Sequence, residues 1–171
     1  MNRIIDTLPE FLLHAVVLER ESVERYEELA DSMEIHNNPE IARLFRKLAG
    51  FGELHAREIE QHAEGMELPQ LPPWDFKWIT PESPEVGDMD EVHYLMDKGT
   101  ALEFAIHNEI RGRDFYAHVA ATSSSEEVRR LAAEFTEEEN WHVDMLKSWI
   151  RNLEDPDSLP PEDLDPPNVT E

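Results

Sequence analysis

Five ionisable residues stand where the local pattern asks for apolar ones. Glu19 interrupts the stripe Leu12, Ala15, Val16, Val23, Tyr26, Leu29, Ala30, and Glu109 interrupts Leu102, Ala105, Ile106, Tyr116, Val119, Ala120. Glu139 and His142 share a line with Phe135, Leu146 and Trp149, and His55 shares the matching line with Leu48 and Ile59. Spacing of three, four and seven residues puts each set on one buried helical face. A buried, unpaired carboxylate costs several kcal/mol or takes up a proton. Several carboxylates converging in one core cannot all ionise without cations between them. Divalent metal ions meet that need, and a carboxylate and imidazole donor set suits iron, manganese or zinc. Ion pairs and hydrogen bonds among the same residues are the plainer alternative.

The spacing sharpens the metal reading. In four-helix carboxylate bundles, two helices give one Glu each and the other two give Glu-x-x-His. Glu19 and Glu109 fit the first role, and Glu139-Asn-Trp-His142 fits the second. The remaining helix should repeat that motif but reads Gly52-Glu-Leu-His55, with no carboxylate at its first position. Four carboxylates neutralise two divalent ions; three leave a positive charge to be met otherwise. Glu58 and His62 are the candidate replacement ligands, because His55, Glu58 and His62 form one stripe. His62 occupies the place that Trp149 holds in the repeat and is expected to be buried or half-buried. Glu53 points about 100° away from position 52 and is a poorer candidate. The expectation is an asymmetric site, firm around Glu109, Glu139 and His142 and weaker around Glu19 and His55. Gly50 and Gly52 each cost about 1 kcal/mol relative to alanine inside a helix. A kink, an access path or a close backbone approach is expected there. His14, His36, His93, His107 and His118 read as structural or surface residues.

The elements that must position these side chains are four helices, at about 8–33, 39–65, 91–121 and 125–151. The first opens on Thr7-Leu-Pro-Glu10 and the second on Asn38-Pro39-Glu40, both helix-start patterns. Residues 66–90 carry Pro69, Pro72, Pro73, Pro81 and Pro84 with Trp74, Phe76 and Trp78, and so form a non-helical crossover. Residues 152–171 form an acidic, proline-rich tail, expected to be extended or disordered. The third helix repeats the first at an offset of 90, Glu19 to Glu109 and Tyr26 to Tyr116. The fourth repeats the second at an offset of 87, Arg43 to Arg130 and His55 to His142. Short, long and short links join the helices, which is the connectivity of a ferritin-like bundle. The predicted fold is therefore all-α, a four-helix bundle of two repeated antiparallel hairpins over residues 1–151.

The stretches Leu18-Glu-Arg-Glu-Ser-Val-Glu-Arg-Tyr26 and Asn108-Glu-Ile-Arg-Gly-Arg-Asp-Phe-Tyr116, with Leu131 to His142, resemble the rubrerythrin branch of the ferritin-like superfamily. The resemblance spans residues 8 to 150. It implies a non-haem di-iron site reacting with peroxide or oxygen, with Glu19, His55, Glu109, Glu139 and His142 as ligands. It implies Tyr26 and Tyr116 as hydrogen-bond partners of those ligands, and a homodimer. Rubrerythrins proper carry a cysteine-ligated iron that feeds electrons in. This chain has no cysteine, so turnover would need an external donor protein.

Composition narrows the partners. With 39 acidic and 15 basic residues, the net charge is −24. Phosphate backbones and anionic membranes repel such a surface. No apolar run approaches the ~20 residues that span a bilayer, and the first residues make a poor signal peptide. The expectation is a cytoplasmic protein without nucleic-acid or membrane partners. Three functions remain open: a peroxidase- or ferroxidase-like oxidoreductase, a non-catalytic metal-binding module, and a scaffold whose site has decayed.

Overall fold

The computed structural model describes residues 4–86 and 92–153. Four helices run α1 (Leu8–Ile35), α2 (Pro39–His62), α3 (Lys98–Thr122) and α4 (Glu126–Asn152), with short 3-10 turns at Pro73–Asp75 and Pro84–Val86. The fold is an all-α ferritin-like bundle. Its helices pack chiefly within two hairpins, α1 against α2 and α3 against α4.

Local chemistry sets the helix starts. Thr7 accepts the Glu10 N–H with a proline in the first turn, Asp97 accepts the Thr100 N–H at 2.8 Å, and Ser125 accepts the Val128 N–H at 3.3 Å. Each cap satisfies a backbone donor that the first turn leaves unpaired. The hairpin link after α1 turns at Asn37, whose φ of 60° is a conformation that asparagine tolerates better than most residues.

Two boundaries differ from the sequence reading. α3 begins at Lys98, not near residue 91, because Asp97 caps it and the preceding residues have other partners. Met96 is buried in the core, and its carbonyl accepts a hydrogen bond from Asn38 Nδ2 at 3.0 Å. α2 ends at His62 rather than residue 65, closing before a turn at Gly65, whose φ is 79°. The predicted tail lies outside the described residues beyond Leu153. Among the described residues, no helix is long and apolar enough to cross a membrane.

The core is divided in two. One cluster gathers Tyr26, Leu29, Phe45, Phe104, Leu146 and Trp149; the other gathers Phe11, Leu18, Ile59, Phe115, Tyr116 and Phe135. Along every helix the residues between the clusters are those flagged above: Glu19, His55, Glu109, and Glu139 with His142. The apolar clusters fix the helices on either side of this polar layer, so its side chains have little freedom to move away.

The crossover is pinned to α1 and α3. Trp78 packs on His14 and Phe115 with ring centroids 5.0 Å away in each case, and Phe76 stacks on Trp78 at 5.3 Å. His14 is fully buried, with Nδ1 2.8 Å from the Glu10 carbonyl and Nε2 accepting the Lys77 N–H at 2.9 Å. It is a structural residue, as the sequence suggested.

A carboxylate and imidazole centre between the hairpins

Glu19, Glu109 and Glu139 are all buried, and the side chains of His55 and His142 are each only 12 % exposed. Glu139 lies at the middle. Its Oε1 is 3.5 Å from His55 Nδ1, which is also 3.5 Å from Glu19 Oε1. Its Oε2 is 3.2 Å from His142 Nδ1, which is also 3.2 Å from Glu109 Oε2. One carboxylate thus faces two Glu–His pairs, one from each hairpin.

The tyrosines complete the pseudosymmetry. Tyr26 of α1 donates to Glu109 of α3 at 3.4 Å, and Tyr116 of α3 donates to Glu19 of α1 at 3.1 Å. Burial and the adjacent carboxylates push both phenols well above their ordinary range, so both remain donors. Glu138 is a feature that the sequence reading missed. Its Oε2 is 2.9 Å from His55 Nε2, which fixes the ring with Nδ1 turned inward.

The replacement candidates on α2 separate. His62 is exposed, a correction to the expectation of burial, and its ring meets Phe135 at 6.0 Å outside the polar layer. It belongs to none of the metal-capable groups among the described residues. Glu58 is also exposed, and it clusters with His55 and Glu138 on the outer side of the centre. Glu53 forms ion pairs with Arg20 and Arg57 instead.

Another carboxylate does enter the layer. Glu85, in the second 3-10 turn of the crossover, is 2 % exposed and groups with Glu19 and Glu139 within 4.8 Å. It hydrogen-bonds Ser22 of α1. On the opposite side it lies against Gly112 of α3, where a Cβ would overlap its Oε1 and approach its Cδ to 3.0 Å. Position 112 is the repeat equivalent of Ser22, at the same offset of 90. The only signal for this residue in the sequence was that interior glycine, three residues beyond Glu109.

Gly52 has its own reason. A Cβ there would come 2.8 Å from the Val23 Cγ2 methyl but 3.9 Å from the α1 backbone, so a side chain of α1 crowds the position rather than the expected close backbone approach. α2 runs through the position without a break. Nothing in the structure explains Gly50, which faces open space. Gly52 also borders a cavity of about 20 Å³, room for roughly one water-sized occupant, lined by Glu19, Tyr26, Glu85, Glu109 and His142 among others.

Electrostatically, four buried carboxylates are faced by only two imidazoles, and the carboxylates raise both His55 and His142. Burial raises Glu19, and it raises Glu85 well above the carboxylate range; for Glu109, burial and the neighbouring Glu139 push the value up to about 7. Burial alone would raise Glu139 too, but the facing imidazoles outweigh it and keep this group ionised. His142 is driven up to about 10, because Glu139 and Glu109 overcome the effect of burial. Three buried atoms, Glu85 Oε1, Glu139 Oε1 and His55 Nδ1, have no hydrogen-bond partner. Oxygen and nitrogen donors that converge, lack partners and retain protons for want of positive charge fit a divalent metal centre.

A family model described as Rubrerythrin matches residues 10–73. Among solved structures, an uncharacterized conserved protein from Magnetospirillum magnetotacticum MS-1 is 49% identical. That match covers 85% of this chain and 95% of that one, with a TM-score of 0.65. No curated protein matches. With the repeated hairpins and the centre between them, these similarities show that the chain belongs to the rubrerythrin-like branch of the ferritin-like superfamily.

Proposed function

We propose that the chain is a non-haem di-iron oxidoreductase acting on peroxide, oxygen or ferrous iron. The observation that carries the proposal is Glu139, whose two oxygens each face a Glu–His pair. Glu19 with His55, and Glu109 with His142, are the two half-sites. Iron bound there supplies the electrons that reduce an oxidant or accepts them from ferrous substrate.

The chain's own residues do the rest. Glu138 holds the tautomer of His55, and Tyr26 and Tyr116 fix the orientation of Glu109 and Glu19 across the hairpin interface. The cavity beside Gly52, with room for about one water-sized occupant, is where a small oxidant would approach the centre. Manganese and zinc suit the same donors. The working unit is a cytoplasmic homodimer, and a separate donor protein returns the electrons.

Metal per chain after anaerobic ferrous loading should approach about two ions. Adding peroxide with a reduced donor should give sustained turnover. Glu139→Ala should lose more metal than Glu58→Ala, because only Glu139 touches both pairs. Equal losses would overturn the assignment. The missing carboxylate at position 52 favours a second reading, a metal-binding module without turnover. Tight loading with no peroxide consumption and no ferrous oxidation would select it.

A further inference from the structure

The polar layer receives one acidic side chain that no helix supplies. Glu85 arrives from the crossover, is 2 % exposed, and brings a carboxylate oxygen within 4.8 Å of Glu19 and Glu139, while its Oε1 has no hydrogen-bond partner. Its berth is built from both hairpins, Ser22 of α1 on one side and the bare backbone of Gly112 on the other. The segment carrying it is held on either side. Arg111 Nε donates to the Pro84 carbonyl at 2.8 Å, and Trp78 is buried against Phe115.

Charge says what this carboxylate is for. Glu19, Glu109 and Glu139 carry three negative charges when ionised, one short of two divalent cations. Glu85 makes the fourth. An ionised carboxylate buried without a counter-charge is costly, and a divalent cation beside Glu19 and Glu139 would supply that charge and favour the docked position of the turn at Pro84–Val86.

We propose that Glu85 is the metal ligand replacing the carboxylate absent from position 52, and that metal binding latches the crossover onto α1 and α3. The proposal rests on the dimetal reading above. It would lessen the expected asymmetry, since the added ligand lies beside Glu19, on the side predicted to be weak. The vacancy on α2 is thus filled from the opposite side of the layer, at Gly112 rather than Gly52.

The test uses the full chain and manganese(II) or zinc(II), neither of which needs turnover to be detected. Wild type, Glu85→Gln, Gly112→Ala and the exposed-residue control Glu82→Gln are loaded, desalted and analysed for metal. Hydrogen exchange over residues 76–86 is followed with and without metal. Glutamine keeps the shape of Glu85, and alanine at 112 keeps its chemistry but fills its berth, so one variant remains informative if the other folds poorly.

Wild type and the control should hold about two ions and show metal-dependent protection of the crossover. Both site variants should bind one ion at least about tenfold more weakly, and their crossover exchange should no longer respond to metal. If wild type holds two ions and both variants match it in affinity and protection, Glu85 is not a ligand, although the dimetal reading stands. If wild type binds no metal, both readings fall.

Discussion

At the scale of single residues, the centre separates groups that must hold metal from groups that hold the fold. His14 belongs to the second kind. Burial lowers its pKa, and its ring accepts the Lys77 N–H. A histidine with a depressed folded-state value contributes stability that is present above the unfolded value of about 6.5 and lost as pH falls below it. Melting curves of metal-free protein at pH 7.5 and 5.5 should therefore show a smaller acid loss for His14→Leu than for wild type. An identical loss would mean that the ring titrates freely. Most of the centre was legible in the sequence because an ionisable residue on an apolar stripe contradicts its own surroundings, as at Glu19 and Glu109. Glu85 was not legible. It lies in an irregular segment with no period to violate, among acidic residues that are mostly solvated. His62 was misjudged because the repeat places it opposite Trp149, yet the last turn of α2 carries it into solvent.

At the scale of elements, the four helices follow from their stripes and starts, and the misplaced boundary shows what a stripe cannot fix. Apolar residues such as Met96 continue the appearance of a helix upstream of α3, but Asp97 ends it by capturing the Thr100 N–H. Asp97→Ala should cost about 1 kcal/mol in urea unfolding. No change would mean that this carboxylate caps nothing. The crossover was recognisable as non-helical from its prolines and as packed from its aromatics. Its path over α1 and α3 depends on pairings such as Trp78 with Phe115, which lie far apart in sequence and leave no local trace.

At the scale of the whole molecule, the polar layer divides one core into two and so lowers the stability of the metal-free protein. Replacing a whole buried ion pair with well-packed apolar side chains is often stabilising by about 1 to 4 kcal/mol, whereas removing one partner is destabilising. Glu109→Leu combined with His142→Leu should raise the melting temperature of metal-free protein above pH 7, where the wild-type carboxyl, held at about 7, is forced to ionise. The same variant should lose the increase that manganese gives wild type. Calorimetry with and without the ion checks both outcomes, and an unchanged metal-induced increase would remove Glu109 and His142 from the ligands. The two-fold repeat was readable from offsets alone. The reciprocal tyrosine bonds give it a physical meaning, because each hairpin steadies a carboxylate belonging to the other.

Glu139 breaks the symmetry of that repeat. It stands at the centre of the pseudo-two-fold, yet only the second hairpin possesses it, since the first has Gly52 at the matching position. A chain made of two first hairpins would have no shared carboxylate, and one made of two second hairpins would place two at the same centre. The halves are therefore no longer interchangeable copies. In the first hairpin Val23 lies close against α2 at position 52, so any side chain placed there would first have to displace the Val23 methyl.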